Sequence, residues 1–164
     1  MQHPRVTGAE THWSRDFALI GGVTSLVAPA LAMPLGVSAL YVAAAALTGL
    51  LSGGLLGAAM PRMLDGMRGR VPLGVIFGLG GPVLGALWGA SVGSVAYLVG
   101  HDFNILLSVG CASLAGAIQF GLCWFPYTFQ TVRGGPRWPV VLAACLATPL
   151  VGIATVLAVF AVLL

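Results

Sequence analysis

Beyond its polar first sixteen residues the chain carries few side chains that can do chemistry. Gln119 is the single strongly polar side chain inside a long apolar stretch. An amide placed there can bind a solute or hydrogen-bond a neighbouring helix, and the second use is the commoner one. His101 and Asp102 are adjacent, but two neighbours supply neither a nucleophile nor enough ligands for a metal. Cys111, Cys123 and Cys145 lie in apolar stretches without CxxC spacing and read as small hydrophobes. The three histidines, His3, His12 and His101, fall in tails or loops, where they cannot serve as axial ligands to a haem held between helices. No GxxxxGK[ST] loop is present to cradle a phosphate. The expectation is therefore a non-enzymatic protein with no catalytic residue, no cofactor and no metal.

Two groups of residues suggest binding rather than catalysis. Gln119, Trp88, Ser91 and Ser94 are the candidates for lining a path for an uncharged or lipid-like solute. Trp88 falls in mid-stretch beside a run of glycines, where it either walls a pocket or fills the gap that glycines leave. Met60, Met63, Leu64 and Met67 recur at i, i+3, i+4 and i+7, with Arg62, Asp65 and Arg68 on the other faces. That is the pattern of a short amphipathic helix at a membrane surface. With Arg70 it forms a candidate docking site for a partner protein, because methionines make an adaptable contact surface.

The elements that must hold these residues follow from composition. The chain has 164 residues, of which 59% are hydrophobic and only 7% charged. Charge is absent from 17–61, 71–101, 103–132 and from 138 onward. Uncharged apolar runs of roughly 20 residues or more mark helices that cross a bilayer. No stretch alternates as a membrane strand would. The predicted fold class is an all-α integral membrane protein: a polar cytoplasmic tail over 1–16, then a transmembrane domain over 17–164. Its five helices are expected near 17–32, 37–60, 73–99, 104–127 and 139–162. Met33-Pro34-Leu35-Gly36 divides the first two, since Pro and Gly together punctuate helices.

Loop charge supports that division. All seven basic residues are arginine. With five spans they fall on one side, in the tail, in 61–72 and in 128–138. This places the N-terminus in the cytoplasm and the C-terminus outside. Residues 1–32 also resemble a secretory signal peptide, with a small-residue site at Ala28-Pro29-Ala30-Leu31-Ala32; the uncleaved reading is preferred. Trp13, Trp124, Tyr127 and Trp138 on one side, and Tyr41, Tyr97 and Phe103 on the other, fit interfacial aromatic belts.

Glycines carry the packing signal. Gly81, Gly85, Gly89 and Gly93 repeat every four residues in the third stretch, and Gly49, Gly53 and Gly57 do so in the second. Small residues on one face let helix backbones approach closely in lipid. The first functional expectation is a subunit of a larger bacterial inner-membrane complex, packed through these faces against other membrane subunits or a second copy. Its partners would be the lipid bilayer and those chains, with no nucleic acid. The alternative is a small channel or transporter-type protein for an uncharged or lipid-like solute.

Overall fold

A computed structural model describes residues 9–67, 75, 79–100, 104–132 and 136–163. Among them there is no strand. Five helices follow one another: α1 (Ala9–Leu31), α2 (Ala39–Met67), α3 (Gly81–Gly100), α4 (Ile105–Val132) and α5 (Trp138–Leu163). α2 to α5 are each long and apolar enough to cross a membrane. A 3-10 turn at Met33–Leu35 separates α1 from α2. Pro34 is its second residue, and Gly36 ends it at φ 100°, a left-handed conformation open to glycine and strained for most other residues.

The helices form a closed ring. α1 packs on α2 and α5, α2 on α3, α3 on α4, and α4 on α5. Directions follow from which residues meet. Trp13, Phe17 and Gly21 lie against Gly57, Gly53 and Gly49, so α1 and α2 are antiparallel. Gly85, Gly89 and Gly93 lie against Gly116, Ala112 and Ser108, so α3 and α4 are antiparallel too. Thr24 meets Thr148 and Ala28 meets Gly152, which makes α1 and α5 parallel. A ring of five alternating helices cannot close without one such parallel pair.

Glycines bring the two hairpins to near backbone contact. A Cβ on Gly53 would overlap the Phe17 carbonyl, and one on Gly57 the Trp13 carbonyl. In the other hairpin a Cβ on Gly85 would strike the Gly116 carbonyl, and one on Gly89 the Ala112 carbonyl. Gly81 is buried at the start of the same face. Both stripes are thus covered by helices of the same chain. The opposite surfaces carry leucines such as Leu55, Leu106 and Leu146, each more than 70% exposed. Small residues inside and large apolar ones outside is the arrangement suited to a lipid surround, where close contact rather than water exclusion holds helices together.

Four sequence expectations change. Residues 9–16, expected in a polar tail, continue α1 as helix. Burial at Trp13, Asp16, Phe17, Ile20, Gly21 and Thr24 shows why: one helical face runs unbroken from the polar segment into the apolar one. α2 does not stop at residue 60 but passes through Pro61 to Met67. The proline leaves the Gly57 carbonyl without its helical donor, but burial of Met60 and packing of Leu64 on the core favour continuation. α4 likewise passes Pro126 and buries Thr128, which had been expected in a loop. Of the aromatic belt, Trp13 and Tyr127 are core residues instead, while Trp138 is half exposed. His101, Asp102 and Phe103 lie outside the described residues.

Replacing Gly53 or Gly89 with Leu is expected to destabilise the protein in detergent by ~3 kcal/mol, because the obstacle is backbone that cannot rotate away. Gly110 has open space around it, so Gly110→Ala should leave the melting temperature unchanged or raise it. Circular-dichroism melts of the three variants check this, and equal losses at all three positions would remove the close-approach argument.

Candidate functional site

The axis of the ring holds three layers. The end bearing the 33–36 turn is the upper end here, and the opposite end the lower.

The lower layer is built on Asp16, which is 2% exposed. Its Oδ2 accepts a hydrogen bond from the Tyr127 hydroxyl at 2.8 Å, and Arg137 Nη1 lies 3.5 Å from the same oxygen. Arg15 Nε stands 3.6 Å from Oδ1, and the Arg15 guanidinium sits over the Trp138 ring at 5.2 Å. A carboxylate withdrawn from water needs donors and countercharge, and here α1, α4 and the residue preceding α5 supply them. Trp13 and Phe17 stand edge-on to Tyr127, with ring centres 5.0 and 5.2 Å away. Edge-to-face contact of this kind fixes ring orientation.

The middle layer is aromatic on one side and polar on the other. Phe120 contacts both Phe17 at 5.6 Å and Trp88 at 5.7 Å. Opposite them, Gln119 Nε2 donates to the Thr148 carbonyl at 2.7 Å. The Thr148 hydroxyl pairs with that of Thr24. Gly152 admits the amide, since a Cβ there would stand 3.2 Å from Gln119 Nε2. Gln119 therefore joins α4 to α5, and Thr24 joins α1 to α5. A void of about 20 Å³ lies between this layer and Tyr127.

The upper layer is a cavity of about 170 Å³ to which all five helices contribute. A dry cavity of about 150 Å³ accommodates a benzene-sized molecule, so this one has room for a small organic solute. Its wall is mainly apolar, with a few polar groups. Ser108 Oγ donates to the Gly93 carbonyl at 3.0 Å, so its bond with Tyr41 at 2.8 Å must be donated by the tyrosine hydroxyl. Trp88 lines the cavity with its indole Nε1 buried and without an acceptor. Ser25 also lines it, and its hydroxyl is buried without a partner. Pro29 in the same wall has no N–H to donate to the Ser25 carbonyl. Leu31 on α1 and Leu157 on α5 line the cavity while more than half exposed. The cavity therefore reaches the surface beside apolar side chains.

The sequence-derived candidates separate on this geometry. Gln119 and Trp88 meet at the axis. Ser91 is exposed and bonds the Leu87 carbonyl of its own helix, and neither it nor Ser94 lines the cavity. Of the docking candidates, Met60 is fully buried, Met63 and Arg62 are exposed, and the Met67 side chain, Arg68 and Arg70 lie outside the described residues. The methionine face is accordingly divided between core and surface. Asp16, Thr24, Ser108 and Thr148 carry no functional assignment from the sequence, and Tyr41 appears there only as a belt aromatic. Only Asp16 left a usable signal, its helical spacing from Trp13, Phe17 and Ile20.

Fold and axis together define an all-helical, multi-pass membrane-type bundle with an internal cavity. No family model, curated protein or solved structure matches the chain.

Gln119→Leu removes a buried bond between α4 and α5, and is expected to cost ~1 kcal/mol, or about 2–4 °C of melting temperature. Thr148→Val should cost a similar amount by freeing the Thr24 hydroxyl. The double variant should fall short of the sum, since both changes loosen α5. Strict additivity in thermal melts would argue against a shared clasp.

Proposed function

We propose that the ring binds one small, uncharged, mostly apolar solute in its upper cavity, and that the protein is a non-enzymatic binding or transport protein of the membrane. The observation that carries the reading is the Trp88 indole N–H, buried on the cavity wall without an acceptor. An unmade buried hydrogen bond costs about 1–3 kcal/mol. A ligand oxygen would recover that energy while its hydrocarbon part fills the apolar wall. The apolar mouth between Leu31 and Leu157 suits a solute that arrives dissolved in the bilayer.

In this reading the chain crosses the bilayer five times, with the N-terminus in the cytoplasm and the C-terminus outside, in a bacterial inner membrane. Support comes from α1 lying parallel to α5 along the same seam, and from the seven arginines, which five spans would gather on one side. A reporter phosphatase fused after residue 164 should be active outside the cell, and one fused after residue 67 should be inactive. The reverse pattern would invert the topology.

A second reading, a subunit of a larger complex, rests on the exposed Arg62 and Met63 at the end of α2. The glycine faces that suggested partner helices are already occupied within the chain.

One preparation separates the two readings. Protein purified from its native membranes in mild detergent is titrated with 4-bromoacetophenone, an uncharged ketone whose bromine quenches tryptophan. Saturable quenching is expected, lost in Trp88→Phe. About tenfold weaker binding is expected for 4-bromotoluene, which lacks the acceptor, since one hydrogen bond of ~1.4 kcal/mol is a factor of ten. Identical, unsaturable quenching in both proteins would rule out the site. Stoichiometric partner chains in the same preparation would favour the subunit reading.

A further inference from the structure

We propose that the ring axis is a closed permeation path for the solute bound in the upper cavity, and that Asp16 is the latch closing its lower end. The proposal rests on the ligand-site reading above and adds a direction of travel and a gate.

Continuity of the axis is the first argument. Thr24, Trp88 and Gln119 line both the upper cavity and the small void beneath it. These three residues are common to the walls of both spaces. Below the void the next obstacle is Tyr127, which lines it from underneath. The Tyr127 hydroxyl is held by Asp16, and Asp16 also holds Arg137 at the start of α5. One carboxylate therefore ties the hydroxyl end of the aromatic lid, whose ring also rests on Trp13 and Phe17, to the helix that completes the ring.

The second argument is mechanical. The two hairpins are locked by carbonyls seated against glycines, so each can move only as a body. α5 lacks any such seat among the described residues except Gly152, which faces Gln119 and Ala28. Apolar packing of Val141 and Ala144 holds it in the core, and side-chain bonds to Thr24, Gln119 and Asp16 fix its register. A small set of bonds that break together is one way a packed bundle acquires two discrete arrangements. Breaking the Asp16 contacts frees the lower end of α5 and the Tyr127 ring together, and joins the void to water on that side. The solute above can then descend past Gln119, whose amide is already turned toward the axis wall formed by α5.

Two native cysteines report on the two spaces. Cys111 lines the upper cavity and Cys123 the lower void, and neither is in a disulfide. The test is the rate at which a positively charged methanethiosulfonate reagent labels each cysteine of the full-length protein in detergent, read site by site by peptide mass spectrometry. Asp16→Asn and Arg137→Gln should each speed labelling of Cys123 about tenfold, as expected when one charge-assisted bond no longer holds the closed state. Cys111 should be unchanged, and Arg137→Lys, which keeps the charge, should label as wild type. An unchanged Cys123 rate in both variants would overturn the latch. So would equal acceleration at Cys111 and Cys123, which signals a loosened bundle rather than an opened gate. Protection of Cys111 by 4-bromoacetophenone is read in the same samples. Its absence beside a normal Cys123 response would fail the ligand reading and leave the gate standing.

Discussion

Two helices surrounded by lipid gain little by hiding apolar surface from one another, because the tails they leave are as apolar as the side chains they meet. Association then depends on how closely backbones can approach and on what hydrogen bonds cross between them. This chain uses both means and assigns them to different places. Close approach builds the α1–α2 and α3–α4 hairpins, where a Cβ on Gly53 or Gly89 would fall on a partner carbonyl. Hydrogen bonds through Thr24, Gln119 and Asp16 join buried Val141 and Ala144 in attaching α5. Leucines are left to face outward. The axis is consequently where side chains of several kinds meet, Gln119 and Trp88 among them.

The layered axis follows from the same division of labour. Where the hairpins converge on Trp88, Phe120 and Phe17, large rings fill the centre. Above that level Ala45, Gly89, Ala112 and Ala115 contribute almost no side chain, and a cavity results. Trp88 is thus both the filler of a glycine gap and a wall of the pocket. A Cβ on Gly21 would stand 3.4 Å from its ring, while its N–H has no protein acceptor.

Much of the helical plan was legible because the lipid environment imposes length and hydropathy directly. α5, expected over 139–162, spans Trp138–Leu163, and the Pro34–Gly36 break falls where turn chemistry requires it. Polar residues at helix ends misled the reading. Asp16 falls in the polar segment 1–16, although its spacing from Trp13 and Phe17 puts it on the buried face. The second helix is expected to end before Pro61 and the fourth at 127, just past Pro126, yet tertiary packing carries them on to Met67 and Val132. Gln119 and Trp88 stood out by type alone. Thr24, Tyr41, Ser108 and Thr148 did not, because a lone hydroxyl in an apolar helix becomes informative only when its partner is known.

The odd number of helices has an electrostatic consequence. α1, α3 and α5 begin at the lower end, whereas α2 and α4 begin at the upper one. Two of the three upward helix dipoles are cancelled by antiparallel neighbours, and one remains. Its positive pole, worth roughly half an elementary charge, lies at the lower end, where the Asp16 carboxylate is buried beside the first turn of α5. The parallel seam that closes the ring thereby gives the bundle a fixed internal field along its axis. A negative group is held most firmly at the lower mouth, and a cation travelling the same axis would meet its barrier there.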